Sequence, residues 1–219
     1  MTSVDDPGPL RKDAERNRER VLAAARQAYA EAGLEVSMAE VARRAGVGIA
    51  TLFRRFPTRE DLIDAVFADR MDAYLGAVAT SLADPDPWRG FTGYIEAVCA
   101  MQAADRGFAA VLTMTFPTAK ALEDKRGRAY EGFLKLIDRA KTAGRLRPDF
   151  SSEDLVILLM ANAGVVSATG LAAPDTWRRL VAYMITAFAA PGATPEPLPP
   201  PPTPTALYRA MIQLGRTCH

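Results

Sequence analysis

The sequence predicts an all-α fold: a three-helix N-terminal domain built around a helix-turn-helix, followed by a larger helical body. Three observations carry this expectation. Apolar residues recur at three- and four-residue spacing through most of the 219 positions. Capping residues, glycines and prolines break that pattern into helix-sized pieces. No segment shows the sustained alternation with turn pairs that marks a sheet. The 49% hydrophobic content is enough to fill a core.

In chain order, residues 1 to 10 read as a disordered, acidic lead. Arg11, Lys12, Arg16, Arg18 and Arg20 follow, interleaved with Asp13, Glu15 and Glu19, and Val21, Ala25, Ala28, Tyr29 and Ala32 mark the inner stripe of a first helix ending at Gly33. Several of those cations can reach phosphate; a solvated helix face is the more ordinary reading for any one of them. Ser37 and Glu40 have capping-box spacing, which starts a helix at Met38, with the serine oxygen accepting from the amide of Glu40 and the carboxylate reaching back to Ser37. Val41, Ala42 and Ala45 give its apolar face, Gly46 its tight end, and Val47 plugs the corner. The next helix opens near Gly48, buries Leu52 and Phe56, and cannot run far past Pro57.

That arrangement leaves Ile49, Ala50, Thr51, Arg54 and Arg55 facing outward. Two short helices joined at a glycine corner, the second bearing cations, form a device for reading DNA in the major groove. Guanidinium groups pair with guanine edges or phosphates, and small apolar groups meet thymine methyls. Partitioned charge agrees. Leu10 to Glu60 carries +4, residues 1 to 9 carry −2 and the remainder −1, so a net charge of +1 hides a basic head.

Gly46-Val-Gly-Ile-Ala-Thr-Leu-Phe-Arg-Arg-Phe-Pro-Thr-Arg-Glu-Asp-Leu62, within residues 14 to 75, resembles the N-terminal domain of the tetracycline-repressor (TetR) family. The resemblance implies a homodimer with three helices for DNA and a larger helical ligand-binding and dimerisation domain, in which a small effector releases a palindromic operator. By position it implies Ile49 and Ala50 as base readers, with Thr51, Phe53, Arg54 and Arg59 near phosphates. The family usually has tyrosine where this chain has Phe53, so a hydroxyl-to-phosphate bond worth about 0.5 to 1.5 kcal/mol is missing. The candidate DNA-binding set is Ser37, Gly48, Ile49, Ala50, Thr51, Phe53, Arg54, Arg55 and Arg59. Repression, as against activation, comes from the resemblance alone.

Thr58 and Asp61 cap a long helix whose buried stripe is Leu62, Val66, Met71, Tyr74, Leu75 and Val78. Running to about Leu82, it spans roughly 37 Å and can link head to body. Asp84-Pro-Asp-Pro87 restarts the chain into a helix through Trp88, Phe91, Tyr94, Ile95, Val98 and Met101. Residues 105 to 116 form a shorter piece ended by Pro117. Residues 119 to 143 form a long amphipathic helix, with Ala129, Phe133, Leu136, Ile137 and Ala140 inward and Gly144 as its stop. Met101, Phe108, Leu112, Met114, Phe116 and Phe133 are candidates for an apolar effector pocket, and equally for plain core.

Leu155 to Ala168 is the most apolar stretch and is shorter than the roughly 20 residues of a membrane span. With the helix from Asp175 to Phe188 it suits a four-helix seam between two copies, for which Leu158, Ala161, Asn162, Val165, Trp177, Leu180, Val181 and Met184 are the candidates. Asn162 can meet its twin there or hold a ligand; the seam is preferred. Pro191 to Pro204 holds eight of the sixteen prolines and reads as an extended strap, followed by a short helix through Leu207, Tyr208, Met211, Ile212 and Leu214. The organisation is therefore a lead (1–10), a helix-turn-helix domain (11–57), an effector-binding and dimerisation domain (58–190), a proline-rich linker (191–204) and a C-terminal helix (205–219).

Other classes find little support. The one histidine, His219, and two cysteines, Cys99 and Cys218, give no metal-ligand cluster and no disulfide framework. There is no nucleophile elbow and no phosphate-cradling glycine loop. The expectation is a cytoplasmic protein that is not an enzyme, needs no cofactor, and has double-stranded DNA, a second copy of itself and a largely apolar small molecule as partners, with no membrane. The rival reading is a helical protein-interaction module.

Overall fold

The computed structural model describes residues 9–114, 116, 118–192, 199–206 and 208–210. Among them run nine helices: α1 (Pro9–Ala32), α2 (Met38–Ala45), α3 (Ile49–Arg55), α4 (Arg59–Ala83), α5 (Pro87–Ala104), α6 (Arg106–Thr113), α7 (Lys120–Thr142), α8 (Ser152–Thr169) and α9 (Thr176–Phe188). Short helical stretches follow at 204–206 and 208–210. No strand occurs among the described residues, only an antiparallel bridge between Leu146 and Ala189. Most of the lead, residues 193–198 of the strap, Leu207 and residues 211–219 lie outside the described residues.

Local chemistry sets the boundaries. Ser37 Oγ accepts from the amide of Glu40 at 3.2 Å and starts α2. The expected return bond from Glu40 to the Ser37 backbone is replaced, because the carboxylate accepts from Arg43 (2.7 and 2.8 Å) and Arg44 (2.7 Å) instead. Gly46 ends α2 at φ 63°, where a side chain would strain the backbone. At Thr58 the capping box is complete: the Asp61 amide donates to Thr58 Oγ1 at 3.1 Å and the Thr58 amide to the Asp61 carboxylate at 3.0 Å. α8 starts three residues before the predicted apolar stretch, because the Ser151 amide donates to Asp154 at 2.7 Å. α6 stops at Thr113, short of residue 116.

The head packs α1 over α2 and α3 around Val21, Ala25, Tyr29, Val41, Leu52 and Phe56. Two ion-pair links brace its surface. Arg44 joins Glu31 of α1 (2.6 Å) to Glu40 of α2, and Arg59 holds Glu35 at 2.8 Å. The two arginines beside Glu40 lower its carboxyl pKa from 4.5 to about 2. α4 then leaves the head and packs against α5 and α7 in the body. The head–body joint is aromatic: Tyr29 stacks on Phe67 and Phe67 tilts against Phe108, each at 6.0 Å between centroids. Burial of Tyr29 there pushes its hydroxyl up to about 12. A second aromatic group, Phe91, Tyr94, Phe133, Phe150 and Phe188, ties α5, α7 and α9 together.

α8 is long and apolar enough to cross a membrane by length and composition. In this fold it packs against α5, α6 and α9 through Leu155, Leu158, Leu159, Asn162 and Val166. Its other face stays open, with Val156 46%, Ile157 60% and Met160 56% exposed.

Close approach of α4 and α7 depends on Gly132, where a Cβ would overlap Val78 Cγ1. Gly132→Ala gains about 0.5–1 kcal/mol of helix propensity but overpacks a stiff, buried valine at about 1–3 kcal/mol. The net expectation is a lower melting temperature, read by circular dichroism; an unchanged or raised value contradicts the contact. Glu40 has a folded pKa below its unfolded one, so its stabilisation is present above about pH 4.5 and lost as pH falls towards 2. Glu40→Gln should therefore flatten the acid arm of the stability–pH curve measured by urea denaturation, leaving its neutral arm parallel to wild type.

Candidate nucleic-acid interface

α3 is a short rod held from one side. Leu52 (1% exposed) and Phe56 (5%) anchor it in the head core, and Gly48 caps its start with an extended backbone. The Gly48 carbonyl accepts from the amides of Thr51 (2.9 Å) and Leu52 (3.1 Å), so the first turn is tight. Everything not used for anchoring points away: Ile49 is 42% and Phe53 46% exposed, Ala50, Arg54 and Arg55 are exposed, and Thr51 is half-buried. Ser37 is exposed at the start of α2. These residues lie on two neighbouring helices of the head, as the sequence pattern requires.

The cations of this face differ in how they are held. Arg55 lies 3.7 Å from Glu15 of α1, a loose pair at the surface. Arg59 is engaged by Glu35, so a phosphate there must compete with a carboxylate. Arg54 has no ion-pair partner among the described residues; with Asp13, Asn17, Arg18 and Thr51 it lines a cleft of about 400 Å³ between α1 and α3.

Arg20 has a different role from the one the sequence left open for it. Its guanidinium donates to the carbonyls of Ala45 (2.6 Å) and Gly46 (3.2 Å), closing the C-terminal end of α2 from α1. An arginine 25 residues from its acceptor leaves no local signal, since only the tertiary fold brings the two together.

The effector-pocket candidates divide between two packed groups and the surface. Phe108 belongs to the head–body stack and Phe133 to the other aromatic group. Phe116 is buried, Met101 and Leu112 are half-buried, and Met114 is 39% exposed. None of the six lines the groove of about 840 Å³ at the junction of α1, α4, α6 and α8. Large apolar residues at helical spacing here serve packing first. The seam candidates also divide. Leu158, Asn162, Trp177 and Val181 are buried within the chain itself, while Ala161 is exposed and Val165, Leu180 and Met184 are half-buried. Asn162 is corrected most clearly: fully buried, it donates to the Cys99 carbonyl at 3.2 Å and to Gln102 Oε1 at 2.9 Å, turned towards α5 by the register of α8. Cys99 is core, its thiol pushed up to about 12 by burial.

Comparison with known proteins agrees with this geometry. Residues 21–66 match the family model described as bacterial regulatory proteins of the tetR family, and residues 86–186 match the C-terminal domain of SbtR-like transcriptional regulators. A TetR transcription regulatory protein from Mycobacterium vanbaalenii is 31% identical, over 83% of this chain and 100% of that one, with a TM-score of 0.43. RolR, solved as its complex with resorcinol, shares the fold at 22% identity over 87% of this chain and 98% of that one, with a TM-score of 0.53. HTH-type transcriptional regulators of Staphylococcus aureus are 36% identical over 67 residues, which is 30% of this chain and 36% of theirs, so the match spans about a third of those relatives. Helix-turn-helix, helical body and these likenesses together place the chain in the TetR family of transcriptional regulators, with its DNA-binding part at the N-terminus.

Proposed function

We propose that the chain is a repressor that grips a palindromic operator as a homodimer and lets go when a small, largely apolar molecule binds its helical body. The observation that carries the reading is the uncovered face of α3, where Ile49, Ala50, Thr51, Phe53 and Arg54 are held out on a helix whose other side is locked by Leu52 and Phe56. Ile49 and Ala50 suit thymine methyls, and Gly48, Thr51, Arg54 and Arg55 suit phosphate or guanine. Phe53 cannot donate, so Arg54 and Arg55 take a larger share of anchoring. Work on DNA places the protein in the cytoplasm.

Dimerisation is supported by the open face of α8. Val156, Ile157, Met160 and Ala161 form an apolar stripe beside Gly164, and Tyr183 of α9 is 48% exposed alongside. Covering it with a second copy buries the oil and sets two α3 helices a fixed distance apart, which a two-fold operator requires. An effector that fits the body better with the heads splayed then shifts the population by its differential affinity.

Gel retardation of the chain's own upstream DNA tests the reading. Binding should fall steeply with salt, and Arg54→Ala should weaken it about tenfold or more while reducing the salt slope. Retardation that is absent at low salt, or indifferent to Arg54→Ala, removes α3 as the reader. Ile157→Asp, at a site 60% exposed in the isolated subunit, should give a folded monomer by light scattering with much weakened operator binding; a stable dimer rules out the α8 seam.

A further inference from the structure

Between head and body lies an open groove of about 840 Å³, walled by α1, the middle of α4, the α5–α6 joint and the end of α8. That volume is in the range of small-molecule clefts. Its charge is lopsided. Arg26 from α1, Arg70 from α4 and Arg106 from α6 all line it, against one carboxylate, Asp105.

Asp105 is already committed. One oxygen accepts from the Phe108 amide at 3.0 Å and caps α6, and the other lies 3.5 Å from Arg70, longer than the roughly 2.7–2.9 Å of a tight charge-assisted bond. The arginines retain donors. Arg26 gives one nitrogen to the Val66 carbonyl at 3.0 Å, and Arg106 gives one to Ser167 Oγ at 3.1 Å. A guanidinium carries several N–H groups in a planar fork that matches a carboxylate. The rest of the wall is mainly small and apolar, with Leu171, 85% exposed, at its rim. Three cations set in a small, apolar lining fit a molecule with an anionic head and a greasy body.

We propose that this groove binds a small amphiphilic carboxylate, with its head among Arg26, Arg70 and Arg106 and its apolar part along α1 towards Leu171. The consequence for regulation rests on the function proposed above; the binding does not. Arg26 belongs to the DNA-binding head, while Arg70 and Arg106 belong to the linking helix and the body. A carboxylate held by all three bridges the joint and competes with Asp105 for Arg70, so it couples to the angle at which the head is carried. The ligand thereby acts at the hinge, without reshaping the interior of the body.

Isothermal titration of the full chain with decanoate, decanol and acetate tests the site in the absence of DNA. Decanoate should bind saturably and at least about tenfold tighter than decanol, which lacks the charge, or acetate, which lacks the tail. Arg106→Ala, whose side chain is exposed and bonds only Ser167 Oγ among the described contacts, should weaken decanoate about tenfold or more. Ala30→Glu, an exposed position on the α1 wall, should do the same by adding a carboxylate, with circular dichroism confirming that both variants fold. Absent decanoate binding, equal binding of decanol or acetate, or decanoate binding unchanged in both variants overturns the proposal. Retardation of DNA by the ligand-free chain is scored separately: its failure counts against the regulator reading, while variant-sensitive decanoate binding still supports the groove.

Discussion

The contact on which the rest of this molecule depends is the aromatic stack of Tyr29, Phe67 and Phe108. It joins the first helix of the head, the helix that leaves the head and the short helix of the body in one desolvated column. Stacked and tilted ring pairs contribute about 0.5–1.5 kcal/mol beyond the area they bury. The column couples the head to α4 and α6, so a change in how those helices sit is passed to α3. Gly107, whose Cβ would come within 3.1 Å of Phe67 and 3.3 Å of Tyr29, keeps the column close.

A second constraint is the apolarity of α8. One face satisfies the chain's own core and even provides a buried amide, Asn162, that reaches the Cys99 carbonyl and Gln102. The opposite face has no such partner among the described residues and is rich in Val, Ile and Met. Contiguous apolar surface of this extent is uncommon on an isolated folded chain.

Arginine shows how little residue type alone fixes a role. Arg20 closes the end of α2, and Arg139 caps the end of α4 by donating to the Leu82 and Asp84 carbonyls at 2.6 and 2.7 Å. Arg126 binds the Val111 and Met114 carbonyls at the end of α6. Arg44 bridges two carboxylates, whereas Arg54 stands at the outward face of α3. One planar cation with several donors serves as cap, brace or probe according to what the fold brings within 3 Å of it.

The sequence by itself determined the helices, their caps and the reader motif, because these are local: Ser37, Gly46, Thr58 with Asp61, and the Leu52–Phe56 spacing act over a single turn of chain. It also determined that α8 is too apolar for solvent on every side. Only the tertiary structure decided which side of α8 turns inward, that Asn162 serves the core, that Phe108 and Phe133 belong to different aromatic groups, and that Arg20 caps a helix. The same holds for the groove of Arg26, Arg70 and Arg106, whose walls come from helices far apart in the chain. Helical periodicity reports a face and its polarity, but which neighbour that face meets is set by packing between distant segments, and no short window of sequence contains both partners.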